Sequence, residues 1–251
     1  MKIPIKTGLM LTCLTASSFF LATTTSYAGS DNPYVGQYEV LKNPQPTSTK
    51  DKVEVVEFFW YGCPHCYYFE KLYLKKWREN KPDYVKFILV PTVWPKDGWA
   101  PSAKAFYTAK ALGFLETIHS SLLHVVHGSK KRNLVTKDEQ TFLNFLEEHG
   151  QEYGVKPEKL EKFSKEYHSF SVDTQVRRAQ EMTKNYDVQG VPVIYVNGKY
   201  RLTSEKADGY KNVIKILNYL IKEERQRMGL VSKQTEVTLP PTSDVPTNKD
   251  N

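Results

Sequence analysis

Val53-Glu54-Val55-Val56-Glu57-Phe58-Phe59-Trp60-Tyr61-Gly62-Cys63-Pro64-His65-Cys66 decides the fold. Val53 to Trp60 is β-branched and aromatic, the composition of a buried central strand. Gly62 ends the strand, and Pro64 suits the first position of a helix, where its missing N–H is not needed. A helix therefore begins at the cysteines and runs to Asn80-Lys81-Pro82, with Cys66, Phe69, Tyr73 and Trp77 on its inner face at three- and four-residue steps. Val85 to Val90 reads as a second buried strand, so strand, helix and strand form a βαβ unit with a parallel pair.

Upstream of this unit, Tyr38 to Leu41 is a short edge strand, and Pro44 and Pro46 mark the loop after it. Downstream, the pattern is helical only, over 101–112, 115–126, 137–149, 157–167 and 172–186. Thr136 with Glu139 has the spacing of a capping box at the third of these helices. Strand character returns at Gly190-Val191-Pro192-Val193-Ile194-Tyr195-Val196. Asn197-Gly198 is a two-residue hairpin signal before Lys199 to Leu202. A last helix, 207–228, carries Tyr210, Val213, Ile214, Leu217 and Ile221 on one face. The expected organisation is an α/β core split by helices: 29–100, a helical insertion at 101–186, then 187–228. Residues 229–251, with Pro240, Pro241 and Pro246, have the composition of a disordered tail.

Residues 1–28 read as a signal peptide. Lys2 and Lys6 precede an apolar stretch from Leu9 to Ala22, and Ser26-Tyr27-Ala28 offers small residues for cleavage. The stretch is interrupted by Thr and Ser and falls short of the roughly 20 apolar residues of a membrane span. Cleavage removes Cys13, one of three cysteines, and leaves Cys63 and Cys66 as the only pair. A pair enclosing two residues constrains the unfolded chain little and makes a poor structural staple. The formal charge of +7 falls to +5 without Lys2 and Lys6, spread over scattered lysines, which argues against a nucleic-acid interface.

A helix beginning at Cys63 exposes that sulfur to the unpaired N–H groups of the first turn and to the positive end of the helix dipole. Both favour thiolate, so Cys63 is the expected nucleophile. Cys66, a turn inward and in line with Phe69, is the expected buried resolving thiol. His65, if it points at the sulfur, stabilises the thiolate further and biases the pair towards giving its disulfide away. Half of a zinc site is the competing reading of Cys-x-x-Cys; His119, His124 and His127 are the only clustered additional ligands, and they are more readily ordinary histidines of a helix. Neither a metal nor another cofactor is expected. Glu57 is a carboxyl on an apolar strand. Alternation puts it opposite Glu54, which favours a buried, neutral acid able to exchange protons with Cys66 over an outward-facing Glu like Glu54.

Glu57-Phe58-Phe59, Cys63-Pro64-His65-Cys66, Gly190-Val191-Pro192 and Val196-Asn197-Gly198-Lys199-Tyr200 together resemble the thioredoxin superfamily and, within it, the bacterial periplasmic DsbA family of thiol:disulfide oxidoreductases. The resemblance extends over most of the chain after the leader and implies an α/β, thioredoxin-like fold with an inserted all-helical domain. It also implies a cis Val191–Pro192 bond facing the cysteines, where Pro192 keeps metal from the thiols and the Val191 backbone pairs with an extended substrate. Local sequence alone leaves Pro192 trans by default. The implied activity is donation of the Cys63–Cys66 disulfide, through a mixed disulfide at Cys63, to reduced exported proteins in the periplasm. A DsbB-type membrane quinone reductase is the implied reoxidation partner. An isomerase or reductant of the same superfamily, or a non-catalytic peptide-binding chaperone module, is the alternative. Trp60 and Tyr61 are read as an apolar docking surface or as half-buried core, and Gly62 as a residue that widens the approach to Cys63.

Overall fold

The computed structural model describes residues 32–94, 98–128 and 138–230. Every element belongs to the compact unit that starts at Tyr34. The signal-peptide expectation, Cys13, Thr136 and all of the tail beyond Leu230 lie outside the described residues.

Five strands form one mixed sheet: β1 (Glu39–Val40), β2 (Val53–Phe59), β3 (Val85–Pro91), β4 (Val193–Val196) and β5 (Tyr200–Leu202). Their spatial order is β1-β5-β4-β2-β3. β2 is central, parallel to β3 and antiparallel to β4, so Glu57 stands between Leu89 and Ile194. β4 and β5 are joined by Asn197, Gly198 and Lys199, the first two with φ of 48° and 63°. Both positive values match the turn that suits the twist of paired strands. A side chain at Gly198 would run into the carbonyl of Gln45, whose N–H donates to Gly198 O.

From Pro64 to Asn80 the chain is helical, as α1 (Pro64–Phe69), a π-helical turn (Glu70–Leu74) and α2 (Lys75–Asn80). The π turn holds one extra residue, and the phase of the stripe shifts there. Leu74, the last residue of the turn, and Trp77 after it are buried, whereas Tyr73, expected inside, is half-exposed. Between β3 and β4 stand α3 (Ala100–Ala111), α4 (Leu115–Gly128), α5 (Glu139–His149), α6 (Pro157–Leu160), α7 (Phe163–Tyr167) and α8 (Phe170–Asn185); α9 (Tyr210–Arg227) closes the chain. The helix expected over 157–167 is thus two short ones, and the break lets Phe163 reach the core while Leu160 stays half-buried. Helix α5 is capped by Asp138, whose carboxylate accepts from Thr141 N–H at 3.1 Å, so Glu139 is the first helical residue and not the third residue of a capping box.

Both faces of the sheet are covered. Val56, Phe58, Val193 and Tyr195 pack against the helices between β3 and β4, with Phe106 and Leu123 among their partners. Val53, Val55, Ile194 and Val196 pack on the opposite face with Phe69, Leu74 and Trp77 and with Leu217 of α9. The helix after Cys63 feeds both cores, Cys66 and Tyr67 one, Phe69 and Trp77 the other. Among the described residues no helix is long and apolar enough to cross a membrane.

Candidate redox site

Cys63 is the N-cap of α1, with extended backbone (φ −85°, ψ 115°) and Pro64 directly after it. Its N–H donates to Trp60 O at 3.0 Å, closing the turn that leads out of β2, and its carbonyl accepts from Tyr67 N–H at 3.2 Å. Both cysteines are free thiols. Both are buried, Cys63 with 8% exposure and Cys66 with 1%, so Cys63 is the more accessible of the two.

The two thiols are polarised in opposite directions. A hydrogen bond from the Cys66 thiol is the main influence pulling Cys63 down from 9.0 to about 6; burial opposes it, and the N–H groups of Cys66 and His65 and the charge of the His65 ring assist. Cys66 is pushed up, first by burial and then by the bond it makes to Cys63. The low pKa of Cys63 therefore depends first on its cysteine partner, and the His65 ring makes the smallest of these contributions. His65 is exposed.

Across from the sulfur lies the loop before β4. Its Val191–Pro192 peptide is cis, and the Cys63 thiol donates to Val191 O at 3.3 Å. His65, Val191 and Pro192 border a groove of about 310 Å³ that continues past Thr203, Glu205 and Tyr210. Trp60 and Tyr61 do not line it. Tyr61 is 1% exposed and so cannot serve as a docking face; its hydroxyl is bonded to His119 Nδ1 at 3.0 Å. Trp60 is half-buried and stacks on Trp99, with centroids 4.0 Å apart and planes at 4°. The Trp60 indole also fills the space a side chain at Gly62 would occupy. Gly62 therefore admits the indole and does not widen the approach to Cys63.

Glu57 is 2% exposed, on the face of β2 that carries Val53 and Val55. Burial raises its carboxyl well above the ordinary 4.5, the charge of Glu70 adds to this, and Arg78 opposes it. Glu54, expected to face solvent, is also 2% exposed. Its carboxylate accepts from Ser48 N–H at 2.8 Å, and its own N–H donates to Asn197 Oδ1 at 2.8 Å. Alternation separates the two carboxyls correctly, but both faces of β2 are covered.

Three residues near the cysteines are not assigned a part in the redox site by sequence. Glu70 is buried and paired with Arg78 and Ser120; it lies four residues after Cys66, so the inner stripe of the helix carried the signal. His119, buried and held neutral with a pKa lowered to about 4 by desolvation, backs Tyr61. His127 donates to Tyr61 O at 2.8 Å, and its ring stacks on Tyr67. Only their placement on α4, which packs against α1, brings these histidines to the site.

A central β2, a parallel β3, a dithiol at the end of the intervening helix and a cis-proline loop opposite define a thioredoxin-fold dithiol protein. A family model described as "Thioredoxin" matches residues 48–216. The thiol:disulfide interchange protein DsbA of Pseudomonas aeruginosa is 35% identical over 189 residues, covering 75% of this chain and 84% of its own. That of Azotobacter vinelandii is 36% identical over 189 residues, 75% of this chain and 83% of its own. The crystal structure of Pseudomonas aeruginosa DsbA superposes with a TM-score of 0.66 at 34% identity, over 78% of this chain and 95% of that one. The chain belongs to the DsbA family of the thioredoxin superfamily, and it is a disulfide-donating thiol:disulfide oxidoreductase.

Proposed function

We propose that the disulfide donated is Cys63–Cys66 and that reduced, exported proteins of the periplasm receive it through a mixed disulfide at Cys63. The observation that carries this is the opposite polarisation of the two thiols, Cys63 down to about 6 and Cys66 up. A substrate thiolate attacks Cys63 Sγ of the oxidised pair. The S–S bond breaks, and its electron pair leaves on Cys66, which takes up a proton. Glu57 would supply that proton: burial raises its carboxyl and favours the protonated form, and its charge acts on Cys66. A second substrate thiolate then attacks the substrate sulfur of the mixed disulfide, and Cys63 leaves as a thiolate. Its low pKa makes it a good leaving group. Two substrate thiols have become one disulfide, and the pair holds the two electrons.

His65, Val191 and Pro192 border the groove where an extended substrate would lie, its backbone paired with Val191 as an added strand. Pro192 would keep metal from the sulfurs. A DsbB-type membrane quinone reductase would return the pair to the disulfide, and residues 1–28 would direct export. The test compares Cys63→Ser and Cys66→Ser against a peptide disulfide. Cys66→Ser should accumulate a stable covalent adduct and Cys63→Ser should not. An adduct on Cys63→Ser would overturn the assignment of roles.

A further inference from the structure

His119, His124 and His127 suggest a metal-like cluster in sequence, but in the fold they bond to the two tyrosines that flank Cys63. His119 Nδ1 is 3.0 Å from the Tyr61 hydroxyl. His124 Nδ1 is 3.2 Å from the Tyr67 hydroxyl. His127 Nε2 is 2.8 Å from the Tyr61 carbonyl, and its ring stacks on that of Tyr67 with centroids 5.4 Å apart and planes at 21°. A carbonyl only accepts, so His127 Nε2 carries a proton and donates it.

Tyr61 is two residues before Cys63, and its carbonyl belongs to the peptide that leads into Gly62. Gly62 has no Cβ to restrict its backbone, so this peptide plane is the softest point between β2 and the cap. On one side the turn is closed by the bond from Cys63 N–H to Trp60 O. On the other, the His127 ring N–H donates to the Tyr61 carbonyl. Tyr67, against which the His127 ring rests, donates its own N–H to Cys63 O. The histidine therefore touches the chain on both sides of Cys63.

We infer that His127 is a positioning residue of the redox site: its bond to the Tyr61 carbonyl, braced by the ring of Tyr67, holds the Tyr61–Gly62 peptide so that Cys63 stays at the helix N-cap. This rests on Cys63 being the reactive thiol, as proposed above. In that position the sulfur faces the N–H groups of His65 and Cys66, which help to hold it as thiolate. Loss of the brace lets the cap move away from those donors, and the thiolate becomes less favourable.

The test uses the full-length reduced protein and reads the ultraviolet absorbance of the Cys63 thiolate against pH. His127→Phe keeps a ring against Tyr67 and removes the donor. It should raise the midpoint by about 0.5–1 pH unit, the size of one hydrogen bond's net contribution. His127→Gln restores an N–H donor without the aromatic ring and should recover at least half of that shift. A His127→Phe midpoint equal to that of the parent overturns the inference, and so does a His127→Gln midpoint shifted as far as that of His127→Phe. If His127→Phe does not fold, His127→Asn, whose amide is too short to reach the carbonyl, replaces it with the same expected shift. The titration needs no substrate, so it stands or falls separately from the direction of electron flow.

Discussion

Replacing Cys66 by Ala removes the group that does most to lower the pKa of Cys63. The depression, from 9.0 to about 6, corresponds to about 4 kcal/mol of preference for the thiolate. A hydrogen bond to a charged acceptor contributes about 1.5–3 kcal/mol, which is about one to two pH units. Cys66→Ala should therefore titrate at about 7 to 8, still below an ordinary thiol because the N–H groups of the first turn remain. At pH 7 the ionised fraction of Cys63 should fall from about nine-tenths to between about one-half and one-tenth. Cys66→Ser, whose hydroxyl still donates, should stay near 6. Thiolate absorbance measured against pH on both single-thiol proteins decides the matter. An alanine variant that still titrates near 6 would refute the reasoning and assign the depression to the helix end alone. A serine variant that rises as far as alanine would refute the hydrogen-bond origin.

Gly62→Ala should displace the Trp60 indole, because the new methyl group falls inside it, at a cost of about 1–3 kcal/mol for overpacking. Urea unfolding gives the cost, and loss of the Trp60–Trp99 exciton signal in circular dichroism shows the displacement; an intact signal would contradict it. The reduced protein should gain stability relative to the oxidised protein as pH rises. The Cys63 pKa is lower in the folded state than in the unfolded chain, so ionisation favours the fold above about pH 6. The gain grows until about pH 9, where the unfolded thiol ionises too, and it is lost as pH falls through 6. At pH 7 the gain is about 1.4 kcal/mol. Glu57 is present in both forms and its effect cancels to first order, so parallel unfolding curves at pH 5 and pH 7 should separate by that amount; no separation would mean Cys63 is not depressed.

The parts of the fold governed by local rules were legible in sequence. β2 was readable because a β-branched run ends at Gly62 and Pro64 opens a helix, and Asn197-Gly198 specified the hairpin that sets β5 against β4. The π turn was not legible, because one inserted residue leaves every local preference satisfied and changes only the phase that decides whether Tyr73 or Leu74 turns inward. Glu54 shows a second limit: alternation assigns opposite faces to Glu54 and Glu57 but cannot tell that both faces are covered. Gly62 was misread as widening the approach to Cys63, and the choice between docking surface and core for Trp60 and Tyr61 was not legible, because the groups that pack on them, Trp99 just before α3 and His119 of α4, are distant in sequence. The cis Val191–Pro192 peptide came only from the family resemblance, since local sequence favours trans.

The most direct test of disulfide donation is equilibration of the Cys63–Cys66 pair with glutathione buffers of known ratio. Ionisation of Cys63 alone favours the reduced form at pH 7 by about 1.4 kcal/mol, equivalent to about 30 mV for a two-electron couple. The hydrogen bond from Cys66 is already part of that figure, and the pair should equilibrate above the roughly −270 mV of thioredoxin. A potential at or below that value would contradict the account, because such a pair would keep its disulfide.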